Sequence, residues 1–363
     1  MRFHIMLSLG LVLAGSEVAL GYGEPLDATV NAEVKEYVGL NVVNVDYAFK
    51  DLGQTTDNLP LLAEAQLKHS TDPIDISGAA VTANFSEPNL STLPDPNEFG
   101  LVAAGISLTE DVSYAGRGET VEVRRVTFLE SEIGEPNGTA LEAHSYFFLD
   151  GIVVVWSKSG NLGLSEVLAD LSVSVDQIRG TEGVSAPVLS AGLSLVGHSD
   201  GTLAVTTSGG ISADNLLELD ITSSLADVGV ARVVVLPELA IPYTYPASVG
   251  EQFDLRARVQ GSFVNRSGTG AALLIGVPAA EVPTLLNQIV GQGTGGSFGS
   301  AVVTQVAAHP APVKPLSAAD RTTKVVVLPQ SRLIPAWCGA MGVELVPAAL
   351  LFALVPGLVR RFR

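Results

Sequence analysis

Along most of this chain apolar and polar residues alternate one for one, the period of a strand with one buried and one wet face. Ala28, Val30, Ala32 and Val34 interleave with Thr29, Asn31, Glu33 and Lys35. Leu171, Val173 and Val175 stand against Ser172, Ser174 and Asp176, and Leu189, Ala191, Leu193 and Leu195 against Ser190, Gly192 and Ser194. Farther on, Phe253, Leu255, Ala257 and Val259 oppose Asp254, Arg256, Arg258 and Gln260. Val121-Glu122-Val123-Arg124 alternates and then slips phase at Arg125, which predicts a bulge. Asp150-Gly151, set between Tyr146–Leu149 and Ile152–Trp156, has the chemistry of a two-residue hairpin turn. Ser199-Asp200-Gly201 separates two further strands, the second ending in Leu203-Ala204-Val205. The best helix is Pro283 to Val290, with proline in its first turn. Many short strands and few helices predict an all-β fold built of antiparallel β-sandwich modules, jelly-roll or immunoglobulin-like.

Thr181-Glu182-Gly183 with Pro187 is the expected joint, giving a module over 22–180 and a second β-rich module over 187–307. Residues 308–336 read as a proline-rich spacer, with His309-Pro310-Ala311-Pro312-Val313-Lys314-Pro315 at its start. There is one internal echo: Val233-Val234-Val235-Leu236-Pro237 recurs as Val325-Val326-Val327-Leu328-Pro329. Of 363 residues 47% are hydrophobic and 16% charged, which excludes a wholly disordered chain. A net charge of −18 excludes nucleic acid as a partner and predicts a soluble monomer through self-repulsion.

Both ends carry processing signals. Arg2, an apolar run from Ile5 to Ala14, and the small residues Ala19 and Gly21 predict a signal helix over residues 1–21, cleaved after Gly21, with Ser16 as the second choice. At the other end Trp337-Cys338-Gly339 leads into an apolar helix from Leu345 to Val359, followed by Arg360, Arg361, Phe362 and Arg363. Fifteen helical residues span roughly 22 Å, short of a hydrocarbon core of roughly 30 Å, and Pro347 and Pro356 weaken the helix further. The terminal arginines would stay on the cytoplasmic side while the body is exported. From Cys338 onward this tail resembles the bacterial C-terminal sorting signals of the PEP-CTERM and MYXO-CTERM kind. Cys338-Gly339 matches their Cys-containing variants, and the Pro-Glu-Pro of the namesake motif is absent.

The resemblance implies export, a sorting protease of the exosortase or rhombosortase type, and attachment to the cell envelope or surface, or release after processing. Gly21, Cys338, Gly339, Arg360, Arg361 and Arg363 are the expected processing and anchoring residues. A GPI signal, whose hydrophobic tail is also removed, and a plain C-terminal membrane helix, which stays in the membrane, are the rival readings. Cys338 is the chain's one cysteine, so the exported body holds no intramolecular disulfide. A second resemblance, over Pro246 to Leu255 and Gly268 to Ala271, is to a β-sandwich segment of tagged surface proteins that carries no assigned activity.

Candidate chemistry is sparse. Gly197-His198-Ser199-Asp200-Gly201 matches the G-x-S-x-G nucleophile elbow, but a strand follows where that motif needs a helix, so a hairpin turn is expected. Gly291 to Gly296 matches G-x-G-x-x-G in reversed structural order and reads as a loop. His69, His144, His198 and His309 stand singly, against a zinc site. No cofactor is expected except that calcium stays open, with Asp95, Asn97 and Glu98, or Asp214, Glu218 and Asp220, as local oxygen donors and neither set chosen. Trp156 with Tyr146, Phe147 and Phe148 is a core cluster first and a sugar platform second. No catalytic residue is assigned. The expected function is a surface-anchored protein with a structural, adhesive or ligand-binding role toward an extracellular polysaccharide or matrix protein. The alternative is a secreted carbohydrate-active or other hydrolase whose carboxylates converge only in the fold.

Overall fold

In β1 (Pro25–Val38) Ala28, Val30, Ala32 and Val34 are buried while Thr29, Asn31, Glu33 and Lys35 stay half-exposed, so the sequence alternation is the alternation of the pleat. The computed structural model describes residues 25–52, 61–67, 78–84, 99–106, 112–163, 166–180, 183–224, 228–266, 268–276 and 323–328, and over them the chain is all-β. After β1 come β2 (Asn41–Asp51), β3 (Leu61–Leu67), β4 (Gly78–Asn84), β5 (Phe99–Ile106), β6 (Val112–Thr127) and a single helical turn, α1 (Glu130–Ile133). The chain continues with β7 (Ala140–Ser157), β8 (Glu166–Arg179), β9 (Val184–Gly197), β10 (Leu203–Ser208), β11 (Leu217–Asp220), β12 (Val230–Ser248), β13 (Gln252–Asn265), β14 (Thr269–Ile275) and β15 (Lys324–Val327).

These strands form two antiparallel sheets. One runs β10-β9-β8-β13-β6-β1-β2; the other runs β11-β12-β7-β14-β5-β4-β3, with β15 also on β7. The valines of both copies of the echo thus lie in strands that pair with β7, Val233–Val235 in β12 and Val325–Val327 in β15. β13 lies between β8 and β6, and β14 between β7 and β5, so strands from both sides of residue 180 share each sheet. The expected joint is the hairpin connection from β8 to β9, whose ladder begins at Arg179 opposite Val184. By contacts the chain divides into Met1–Val326, which holds β1 to β14, and Val327–Arg363. The expected signal, tag and Pro283 helix lie outside the described residues, as does the expected spacer except for 323–328, where β15 pairs with β7, and no described helix is long and apolar enough to cross a membrane.

Side chains of both sheets meet in one apolar cluster. Val30 and Val34 of β1, Val173 of β8 and Phe263 of β13 join Leu101 of β5, Phe147 of β7 and Tyr245 of β12. A second cluster, with Val154 and Trp156 of β7, Val233 of β12 and Leu274 of β14, uses the alternate residues of those strands. β14 is therefore buried at every position.

Three expectations fail for instructive reasons. Asp150-Gly151 makes no hairpin: β7 runs unbroken through it, and β12 pairs with both halves. Gly151 (φ 153°) is instead a point of close approach, where a Cβ would lie 2.5 Å from the Leu274 carbonyl. The extra residue sits across the ladder. Leu236 faces Gly151 and Leu239 faces Leu149, a bulge that moves the core-facing positions of β12 from Val234 and Leu236 to Leu239 and Ile241. In β6 the polarity is reversed from the expected sense. Glu122 and Arg124 are the buried pair, Arg124 Nε donating to Glu122 Oε1, while Val121 and Val123 are half-exposed on the outer face. Glu122 has Ala28 and Ala257 as cross-strand neighbours, whose small side chains leave room for the pair. β6 itself has no bulge against β13, so the irregularity is on β1, between Pro25 and Asp27.

Candidate ligand-binding face on the seven-stranded sheet

The register of the seven-stranded sheet lines up its outward side chains in rows. One row crosses all seven strands: Thr206, Ser194, Asp170, Ser262, Arg117, Glu33 and Tyr47. The next reads Ser208, Gly192, Ser172, Gln260, Glu119, Asn31 and Phe49. A third places Ser190 and Ser174 beside Arg258. Hydroxyls therefore occupy the β8–β10 side, charges the centre, and aromatic rings the β2 edge.

The central charges are organised by carboxylates. Glu119 accepts from Arg117 at 2.7 Å and from Arg258 at 3.1 Å, and Arg117 also reaches Gln260 at 2.7 Å. Covered by those two guanidinium groups, Glu119 is buried even though it sits on the outward side. Arg256 bonds Asp176 at 2.7 Å and Ser185 at 3.4 Å, Arg125 bonds Asp254 at 3.1 Å, and Lys35 bonds Glu33 at 2.8 Å. Held at one edge of the fork, each of the four guanidinium groups still keeps between 36% and 48% of its side chain exposed. Such an arrangement orients planar donors at low entropic cost while leaving N–H groups for a ligand. At the β2 border Tyr47 is 57% and Phe49 45% exposed. Burial pushes the Asp170 carboxyl above its ordinary 3.8, and a hydrogen bond with Ser194 offsets part of that rise.

The other candidate residues fall elsewhere. Ser199 sits in the β9–β10 hairpin, where Asp200 accepts from the Thr202 amide at 3.0 Å and its hydroxyl at 2.6 Å, which holds the Asp200 carboxyl below its ordinary value. That is turn chemistry, with no helix to expose a nucleophile. Asp220 is engaged by Arg232 and by the Thr222 amide at 2.9 Å; burial pushes its carboxyl up, and these partners outweigh the burial and hold it low. Among the described residues no three His, Cys, Asp or Glu side chains gather as a metal site. Trp156 and Phe147 are buried in the two cores, while Tyr146 and Phe148 are half-buried with ring centroids 6.2 Å apart. His144 pairs with Glu142 at 3.0 Å. Asn265, in a glycosylation sequon, is fully buried. Asp95, Asn97 and Glu98, the Gly291 loop, and the processing residues Gly21, Cys338, Gly339, Arg360, Arg361 and Arg363 lie outside the described residues.

Sequence reasoning placed Arg256 and Arg258 on a wet face but missed Arg117 and Glu119. Glycines hide the alternation there. Tyr114, Gly116, Gly118 and Thr120 are the inward set, and a glycine counted as an inward residue would have restored the period. The chain matches no protein-family model and has no detectable relative among curated proteins. The face is therefore read from its own residues.

Proposed function

We propose that this is an exported, envelope-displayed β-sandwich protein whose seven-stranded sheet binds an extended acidic polysaccharide. The sandwich reading rests on the apolar cluster shared by both sheets. Export and display rest on the signal-like start and the tag-like tail. One observation carries the ligand class: a chain of net charge −18 concentrates four carboxylate-held arginines on one face, between a hydroxyl side and two exposed aromatic rings. Guanidinium forks match the carboxylates of a uronate, rings stack on the apolar faces of sugars, and the Ser-rich rows suit sugar hydroxyls. The hydrolase reading needs two carboxylates free to act as acid and base. On this face Glu33, Glu119, Asp176 and Asp254 each already hold a cation.

The test is a calorimetric titration of the protein with a polyuronate and, in parallel, with a neutral glucan. The polyuronate should bind, more weakly as salt rises, and Arg256→Ala with Arg258→Ala should weaken it about tenfold or more. Equal binding of both polymers, or none, would remove the ligand reading. Intact mass of the protein from its own host tests display separately: residues 1–21 should be missing and the tail cleaved near Cys338. Retention of Arg363 in a membrane fraction would leave a plain anchor instead.

A further inference from the structure

Sheet edges in soluble proteins are ordinarily blunted by charge, proline or bulges, because their free N–H and C=O groups template pairing with another chain. β2, the outermost strand of the seven-stranded sheet among the described residues, has one bulge, at Val43, and from Asn44 to Asp51 is poorly blunted. Its outward side carries Val45, Tyr47 and Phe49 at 51%, 57% and 45% exposure and, past the bulge, Val42 opposite Tyr37 at 47%. Its charges are Asp46, Lys50 and Asp51. The edge is also poised for a partner. The Tyr47 amide is taken by Asp46 Oδ1 at 3.0 Å, while Asp46 Oδ2 is fixed by the Gln66 amide of β3 at 2.7 Å.

We propose that β2 is a self-association edge: two copies pair their β2 strands antiparallel about a two-fold axis through Ala48, joining two seven-stranded sheets into one. Residues directly opposite in an antiparallel ladder share a face, so the axis must pass through a residue that meets its own copy. Charge then selects the register. An axis through Asp46 would set two carboxylates face to face. The axis through Ala48 is the one choice that puts Lys50 opposite a carboxylate, Asp46 of the second copy, and it does so twice. It also sets Tyr47 opposite Phe49 of the second copy on the outward side, again twice, an aromatic cross-strand pair of the kind that stabilises sheets. A ladder bond from the second copy would replace the Tyr47–Asp46 contact and free Oδ1 for the incoming ammonium. The chain's negative charge opposes the contact at low salt, so association should strengthen with screening.

Sedimentation velocity of the full chain in density-matched non-ionic detergent, at about 0.05 and 0.5 M NaCl, tests this. A dimer stronger at high salt is expected. Tyr47→Lys and Lys50→Asp should each raise its dissociation constant about tenfold or more with the circular dichroism spectrum unchanged. Protection of the β2 amides from hydrogen exchange should rise with protein concentration. A monomer up to about 100 µM would overturn the proposal, as would a dimer indifferent to both substitutions.

Discussion

At the residue scale, packing against glycine decides more than composition suggests. Phe263 lies over Gly105 and Gly116, where a Cβ would come within 2.2 and 2.1 Å of its ring, so these glycines are seats for an aromatic side chain. Gly116→Ala should therefore lower stability by about 1–3 kcal/mol through overpacking, read as a lower urea midpoint at constant slope. Asp170 gives a pH prediction whose sign follows from the direction of its shift. An acid raised in the folded state favours folding while it is protonated, below its ordinary 3.8, and that contribution is lost as pH rises through the folded value. Asp170→Asn should consequently raise the thermal midpoint at pH 7, and the gain should shrink toward pH 3.8. A gain that stays constant with pH would mean that ionisation is not its source.

At the element scale, β6 and β7 show how an alternating pattern can be read with the wrong face or the wrong break. Val121 and Val123 look like core and Glu122 and Arg124 like surface, yet β6 turns the charges inward. The inward register follows from the rest of the strand, since Tyr114, Val126 and the seated Phe263 all require the even positions to face the core. Removing one member of such a pair leaves a buried charge, so Arg124→Met should cost about 3–5 kcal/mol. Glu122→Leu with Arg124→Met should recover most of that loss in the same denaturation assay, because neither buried charge then remains. If the double variant were as unstable as the single one, the cost would lie in packing and not in charge. For β7, Asp150-Gly151 carries turn chemistry, but the run Ile152 to Trp156 needs burial on both faces. Only a strand continuing between β12 and β14 provides that.

At the scale of the whole molecule, the arginine face and the β2 edge belong to the same sheet. Pairing at β2 would set two such faces side by side on one continuous sheet, so an extended polymer could engage both copies and gain avidity without any new contact. In that case Tyr47→Lys should weaken polyuronate binding by more than the loss of one ring would, and the excess should vanish with short oligosaccharides in calorimetry. The sequence alone was enough for the all-β class, for the core faces of β1, β8, β9 and β13, and for the turn between β9 and β10. In each of these the signal is local, a period of two bounded by turn residues. The tertiary structure decided which strands are neighbours, and so placed β13 and β14 in the middle of sheets that begin before residue 180. It also decided the inward Glu122–Arg124 pair and the assembly of Arg117, Arg256 and Arg258 on one face. Those depend on register between strands up to 143 residues apart, and no local pattern encodes a distance of that kind.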